Sequence, residues 1–265
     1  MKRGPVVLAV AALGVTALAG ACSGSTSTSA TTTGTSPSPA APSAITVFAA
    51  ASLKSAFNEL AAQLEKEHPG TRVNFSFAGS SDLVTQLTQG APADVFASAD
   101  EANMTKAVDA GLVKDGPVNF ATNVLTIVTP PGNPKGVASF ADLAKPGTEV
   151  VICAPQVPCG SATEKIEKAT GVTLSPVSEE SAVTDVLGKI ISGQADAGLV
   201  YVTDAKGAGD EVAAIPFPES GDAVNTYPIA VLKQSANSAT AQMFVDLVSG
   251  PQGRQVLAEA GFAAP

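Results

Sequence analysis

The stretch Ile45-Thr46-Val47-Phe48-Ala49-Ala50-Ala51-Ser52-Leu53-Lys54-Ser55-Ala56-Phe57-Asn58-Glu59-Leu60-Ala61-Ala62-Gln63-Leu64 contains a change of period that sets the architecture. Its opening apolar run predicts a buried strand over 45–49. Beyond it, Leu53, Ala56, Phe57, Leu60, Ala61 and Leu64 recur at i, i+3, i+4, i+7, i+8 and i+11, which is one apolar stripe of a helix with Ser52 at its N-cap. A strand that hands over to a helix through a small-residue turn is the building unit of an α/β fold.

The unit repeats along the chain. Val73, Phe75 and Phe77 alternate as a strand, Gly79-Ser80-Ser81 makes a turn, and Leu83, Val84 and Leu87 continue as a short helix capped by Ser80 or Ser81. Further strands are expected over 94–97, 124–128, 150–153, 198–201, 212–215 and 227–232, and helices over 101–110, 140–144, 162–169, 183–191, 240–248 and 252–259. The sequence shows no internal repeat and no heptad run. Alternation of this kind predicts layers of helix on mostly parallel sheet. With 265 residues the chain has length for two lobes, and open α/β sheets bind ligands beyond the carboxyl ends of their strands, here between the lobes.

Composition excludes several classes of function. Charged residues are only 15% of the chain and apolar residues 45%, so a core is available and wholesale disorder is excluded. A net charge of −9 argues against a nucleic-acid partner, whose phosphates need a basic face. The single histidine, His68, sits in the turn Glu67-His68-Pro69-Gly70, so a serine hydrolase using Ser52 or Ser80 lacks a credible base, and a metal site built from several imidazoles is excluded. Asp94 and Asp100 read as residues that close turns and cap helices, and no metal ligands are expected.

The first residues read as an address. Lys2-Arg3, an apolar run from residue 5 to 19 and then small residues predict a signal peptide over 1–21 rather than a membrane span, which needs about 20 apolar residues. Leu18-Ala19-Gly20-Ala21-Cys22 resembles a bacterial lipobox, which implies lipidation at Cys22. Residues 22–43, almost all Ser, Thr, Gly, Pro and Ala, form a flexible tether. Loss of Lys2 and Arg3 on cleavage takes the net charge to −11. In an oxidising compartment the remaining cysteines, Cys153 and Cys159, are candidates for a disulfide.

Hydroxyls and small residues gather where strands meet helices, at Ser52, at Gly79-Ser80-Ser81 and at Cys159-Gly160-Ser161. Unpaired N–H groups at a helix start bind anions without a cationic side chain, and each helix end acts as about half a positive charge. Four converging ends would match a dianion. Taken singly, each serine is more simply a cap for its own helix.

Val47-Phe48-Ala49-Ala50-Ala51-Ser52-Leu53, Phe77-Ala78-Gly79-Ser80-Ser81, Gly90-Ala91-Pro92-Ala93-Asp94-Val95-Phe96 with Ser98-Ala99-Asp100, and Gly198-Leu199-Val200-Tyr201, in this order, resemble the periplasmic molybdate-binding proteins of ABC importers. The resemblance runs from residue 45 to the C-terminus. It implies a class II periplasmic-binding fold of two α/β lobes, 44–122 with 222–265 and 123–221, closing on molybdate or tungstate. Carried over position by position, Ser52 and Ser80 give hydroxyl and backbone N–H from the first lobe, Cys159 and Val183 give backbone N–H from the second, and Tyr201 gives its phenolic O–H. The family often has Ala at the position of Cys159, a tolerable change for a main-chain contact. The resemblance further implies a monomeric lipoprotein on the outer face of the cell membrane, with no cofactor and no catalysis, which passes its ligand to a permease by a hinge near Asn123 and Asp222. Sulfate or another tetrahedral oxyanion is the rival ligand.

Overall fold

The computed structural model describes residues 43–265. The expected signal peptide, the lipidation at Cys22 and the tether lie outside the described residues, except that Ser43, expected as the last tether residue, already belongs to the first strand.

The chain begins with β1 (Ser43–Ala50), a 3-10 turn (Ala51–Leu53), α1 (Lys54–Glu67), β2 (Thr71–Ala78), α2 (Ser80–Thr88), β3 (Val95–Ala97), α3 (Glu101–Asp109) and β4 (Val118–Asn123). It then builds β5 (Leu125–Thr129), a 3-10 turn (Phe140–Ala144), β6 (Val150–Cys153), α4 (Pro158–Thr170), β7 (Ser178–Glu180), α5 (Val183–Ile191), β8 (Ala197–Tyr201), α6 (Val202–Ala208) and β9 (Ala213–Ile215). A 3-10 turn (Gly209–Glu211) precedes β9, and a last one (Pro218–Ala223), β10 (Asn225–Val231), α7 (Ser238–Ser249) and α8 (Pro251–Ala260) complete the chain.

Two five-stranded sheets result, ordered β2-β1-β3-β10-β4 and β7-β6-β8-β5-β9. In each sheet four strands run one way and one runs against them: β10 lies antiparallel between β3 and β4, and β5 between β8 and β9. The sheets are therefore mostly parallel, as the sequence predicts. They also share one topology, a structural repeat that the sequence does not display. The chain crosses between sheets at Asn123–Leu125 and returns between Ile215 and Asn225.

The apolar stripe of α1 does what its spacing requires: Ala56, Phe57, Leu60, Ala61 and Leu64 are buried. Phe57 sits at the centre of the first half, with ring centroids 5.4 Å from Phe244, 5.9 Å from Phe120 and 6.2 Å from Phe75. Such aromatic packing fixes α1 and α7 on the sheet, and with them the turn that carries Ser52.

Three elements escape the sequence reading. β4 has an exposed Val118 at one end and buries little beyond Phe120 and Ala121, so it lacks a strand's alternation. β7 is Ser-Glu-Glu, an edge strand whose Glu180 is held by Lys189 of α5. α6 carries Gly207 and no apolar stripe, and follows β8 directly. The helix expected at 162–169 starts earlier, at Pro158, which puts Cys159 into its first turn.

Candidate functional site

β1, β2, β3, β6, β7 and β8 all end at one place, and their ends and the turns after them line a small cavity. Ser52, Ser80, Cys159, Val183 and Tyr201 all lie on its wall, and the rest of the lining is Ala, Gly, Val and Pro. None of the lining residues carries a charge. Ser52 and Ser80 come from the half that holds β1 and β2, and the other three from the half that holds β6 and β8.

Neither serine caps its helix, which corrects the sequence expectation. Ser52 lies inside the 3-10 turn, and its Oγ is 3.1 Å from Tyr227 Oη. Ser80 is the first residue of α2, with Gly79 as N-cap, and its Oγ accepts the Ala99 N–H at 3.0 Å. Because a backbone N–H can only donate, the Ser80 hydroxyl proton is left to be donated elsewhere. The first-turn N–H groups of a helix have no partner within the helix, and α2, α4 and α5 start without a side-chain cap. Cys159 stands in the first turn of α4 and Val183 opens α5, so their backbone N–H groups belong to this unfilled set.

Tyr201 ends β8 and is 1% exposed, yet its hydroxyl has no hydrogen-bond partner among the described residues. Such an orphan costs about 1–3 kcal/mol unless an acceptor meets it. Burial above all, then the neighbouring Tyr227, Asp100 and Asp204, hold its pKa well above the ordinary tyrosine range, so it stays a proton donor. Tyr201 and Tyr227 meet edge to face, 5.9 Å between centroids. The carboxylate of Asp204 accepts the Tyr201 backbone N–H at 3.0 Å, and burial pushes that acid up to about 7.

Cys153 at the end of β6 and Cys159 in α4 are joined by a disulfide, with Cα atoms 5.6 Å apart. The loop between them is tight as well as closed, since a Cβ on Gly160 would stand 2.0 Å from the Ala154 carbonyl oxygen. A Cys153→Ser/Cys159→Ser variant is expected to unfold about 2 kcal/mol more readily in a denaturant titration, the loop-closure value for so short a ring. Asp94 and Asp100 do the structural work expected of them: Asp94 accepts the Thr46 N–H at 2.7 Å, and Asp100 caps α3 through the Asn103 N–H at 2.8 Å.

The sequence reading quotes Gly79 and Ala99 only within motifs, without the roles the structure gives them, and gives Tyr227 no part in the site. Gly79 touches the Ser181 backbone across the cleft, Ala99 supplies the donor to Ser80, and Tyr227 stands behind Ser52. Tyr227 lies inside an apolar strand with nothing in its local pattern to mark it. Its role follows from β10 being threaded beside β3, a pairing that local sequence does not reveal.

A cavity walled by hydroxyls, helix-start amides and small apolar groups, without a charged side chain, has the chemistry of a small-anion binder. The chain belongs to the bacterial extracellular solute-binding proteins, a family whose profile matches residues 45–263. Membership makes it a solute binder and not an enzyme. It is 58% identical over 221 residues to the molybdate-binding protein ModA of Mycobacterium tuberculosis H37Rv, covering 83% of this chain and 85% of that one. It is 33% identical over 228 residues to the Escherichia coli K12 protein of the same name, covering 82% and 88% of the two chains. Among solved structures, the Azotobacter vinelandii periplasmic molybdate-binding protein matches with a TM-score of 0.72 and 25% identity, over 83% of this chain and 99% of that one.

Proposed function

We propose that this protein captures molybdate, and tungstate as well, in the cavity between its sheets and delivers it to the permease of an ABC importer. The observation that carries the reading is the uncharged lining onto which Ser52, Ser80, Cys159, Val183 and Tyr201 converge from both halves. In this reading the two serines donate O–H and backbone N–H, Cys159 and Val183 donate backbone N–H, and Tyr201 donates the phenolic proton that has no other partner. Helix-start dipoles offset the ligand's two charges. The acidic outer surface matters little at the cavity, because salt screens exposed charges beyond about 8 Å.

An all-donor shell selects against phosphate, which carries a proton near neutral pH and needs an acceptor. Sulfate shares the charge and shape of molybdate, so cavity size must separate them. The two lobes, 44–122 with 222–265 and 123–221, close by a hinge at the crossings near Asn123 and Asp222. Residues 1–21 direct export, Cys22 carries a lipid, and residues 22–42 tether the monomeric folded part at the outer face of the cell membrane.

Titration calorimetry with molybdate, tungstate, sulfate and phosphate tests the reading. Molybdate and tungstate are expected to bind tightly and the other two weakly, and sulfate displacing molybdate would overturn it. Tyr201→Phe is expected to weaken molybdate binding by about 1–3 kcal/mol, because one ligand oxygen loses its donor. Unchanged affinity would remove Tyr201 from the site.

A further inference from the structure

We propose that Tyr227, which does not line the cavity, is a specificity-determining positioning residue: it donates to Ser52 Oγ and so forces the Ser52 proton toward the ligand. The inference rests on the anion-binding reading above and extends it to a residue outside the contact set.

Ser52 and Tyr227 form a buried hydroxyl pair at 3.1 Å, and either oxygen can be the donor. The two directions have different consequences. When Tyr227 donates, Ser52 has its lone pair filled from behind and turns its own proton into the cavity. When Ser52 donates, it presents a lone pair to the cavity, which repels a dianion but accepts from a protonated oxyanion. Ser80 has no such choice, because its oxygen is filled by the Ala99 backbone N–H. The Ser52–Tyr227 pair is thus the place where the polarity of the shell is set by a side chain.

Burial decides the direction. Tyr227 is 0% exposed, and besides Ser52 the groups beside its hydroxyl are the Asn123 side-chain amide, whose Oδ1 already accepts the Val124 N–H, and the Tyr201 hydroxyl. Reversal would have to turn the phenolic proton onto the Tyr201 hydroxyl, whereas the donating direction lets Tyr227 accept from the Asn123 amide and give its own proton to Ser52. The phenol also keeps its proton: burial drives its pKa far above the ordinary range.

The test is Tyr227→Phe, which preserves the ring that packs against Phe120, Tyr201 and Phe262. Molybdate affinity is expected to fall about ten-fold, while inorganic phosphate competes more strongly, so the molybdate-to-phosphate ratio narrows by more than molybdate affinity falls. Phosphate competition in the variant should strengthen as pH drops from about 8 to about 6 and the ligand gains a second proton, whereas in the parent it stays weak across that range. In a Ser52→Ala background, Tyr227→Phe should change the ratio no further, as a double-mutant cycle requires of a residue acting through Ser52. Equal losses for both ligands, or a ratio that shifts equally without Ser52, would overturn the assignment and leave Tyr227 a packing residue. Failure of the parent chain to bind molybdate would instead sink the underlying functional reading, so the two failures are distinguishable.

Discussion

Gly79→Ala is expected to leave the fold intact and to weaken molybdate binding on the order of a hundred-fold. Gly79 has φ −61° and ψ 140°, a backbone conformation that alanine adopts freely, so neither half of the molecule is strained by the change. The obstacle lies across the cleft. A Cβ at this position would stand 2.0 Å from the Ser181 carbonyl oxygen and 3.2 Å from its carbonyl carbon. Those atoms are backbone and immediately precede Ala182, the N-cap of α5. They cannot swing aside without carrying Val183 with them, so the methyl group pushes Ser80 and Val183 apart, and donors from the two halves no longer reach one ion. Calorimetry reads the affinity, and small-angle scattering reads whether added molybdate still contracts the molecule. Unaltered affinity would show that the halves need not approach this closely.

Asp204→Asn is expected to remove most of a pH dependence of stability on the order of 4 kcal/mol, at about 1.4 kcal/mol per pKa unit. Burial raises this acid from 3.8 to about 7 in the folded chain. Between those values the folded state holds a proton that the unfolded state has released, so stability falls as pH rises through the window. The stabilisation is fully present below the unfolded value and gone above about 7, where both states are ionised. Asparagine keeps an oxygen for the Tyr201 N–H, which Asp204 accepts at 3.0 Å, but has no charge to desolvate. Denaturant unfolding from about pH 4 to about pH 8 should therefore give a falling curve for the parent and a much flatter one for the variant. Parallel curves would mean that the carboxylate is paid little for its burial.

The fold was legible where periodicity is strong. The α1 stripe and the apolar cores of β1, β5, β6 and β8 are short-range patterns that burial enforces, and they appear as the spacing predicts. Short or weakly buried elements were not legible. β7 exists because Val151, Ile152 and Cys153 of β6 offer it an edge, and its own Ser-Glu-Glu would never declare a strand. At the site, sequence resemblance named five positions, and the structure gathers all five on one cavity. What resemblance could not supply is the packing behind them. Ala99 reaches Ser80, and Tyr227 reaches Ser52, through strand pairings whose register is a long-range property. The caps predicted for the two serines failed for the same reason, since distant partners took the hydroxyls that local geometry would have assigned to the helices.

The placement of β10 between β3 and β4 also constrains the order of assembly. Phe96 pairs with Ala230, and Asn123 with Asn225, so the first sheet has a gap in it until nearly the whole chain has been synthesised. A nascent chain shorter than this cannot finish that sheet, whereas all five strands of the second sheet lie between Leu125 and Ile215 and are made before β10, so the half that is first to begin is last to close.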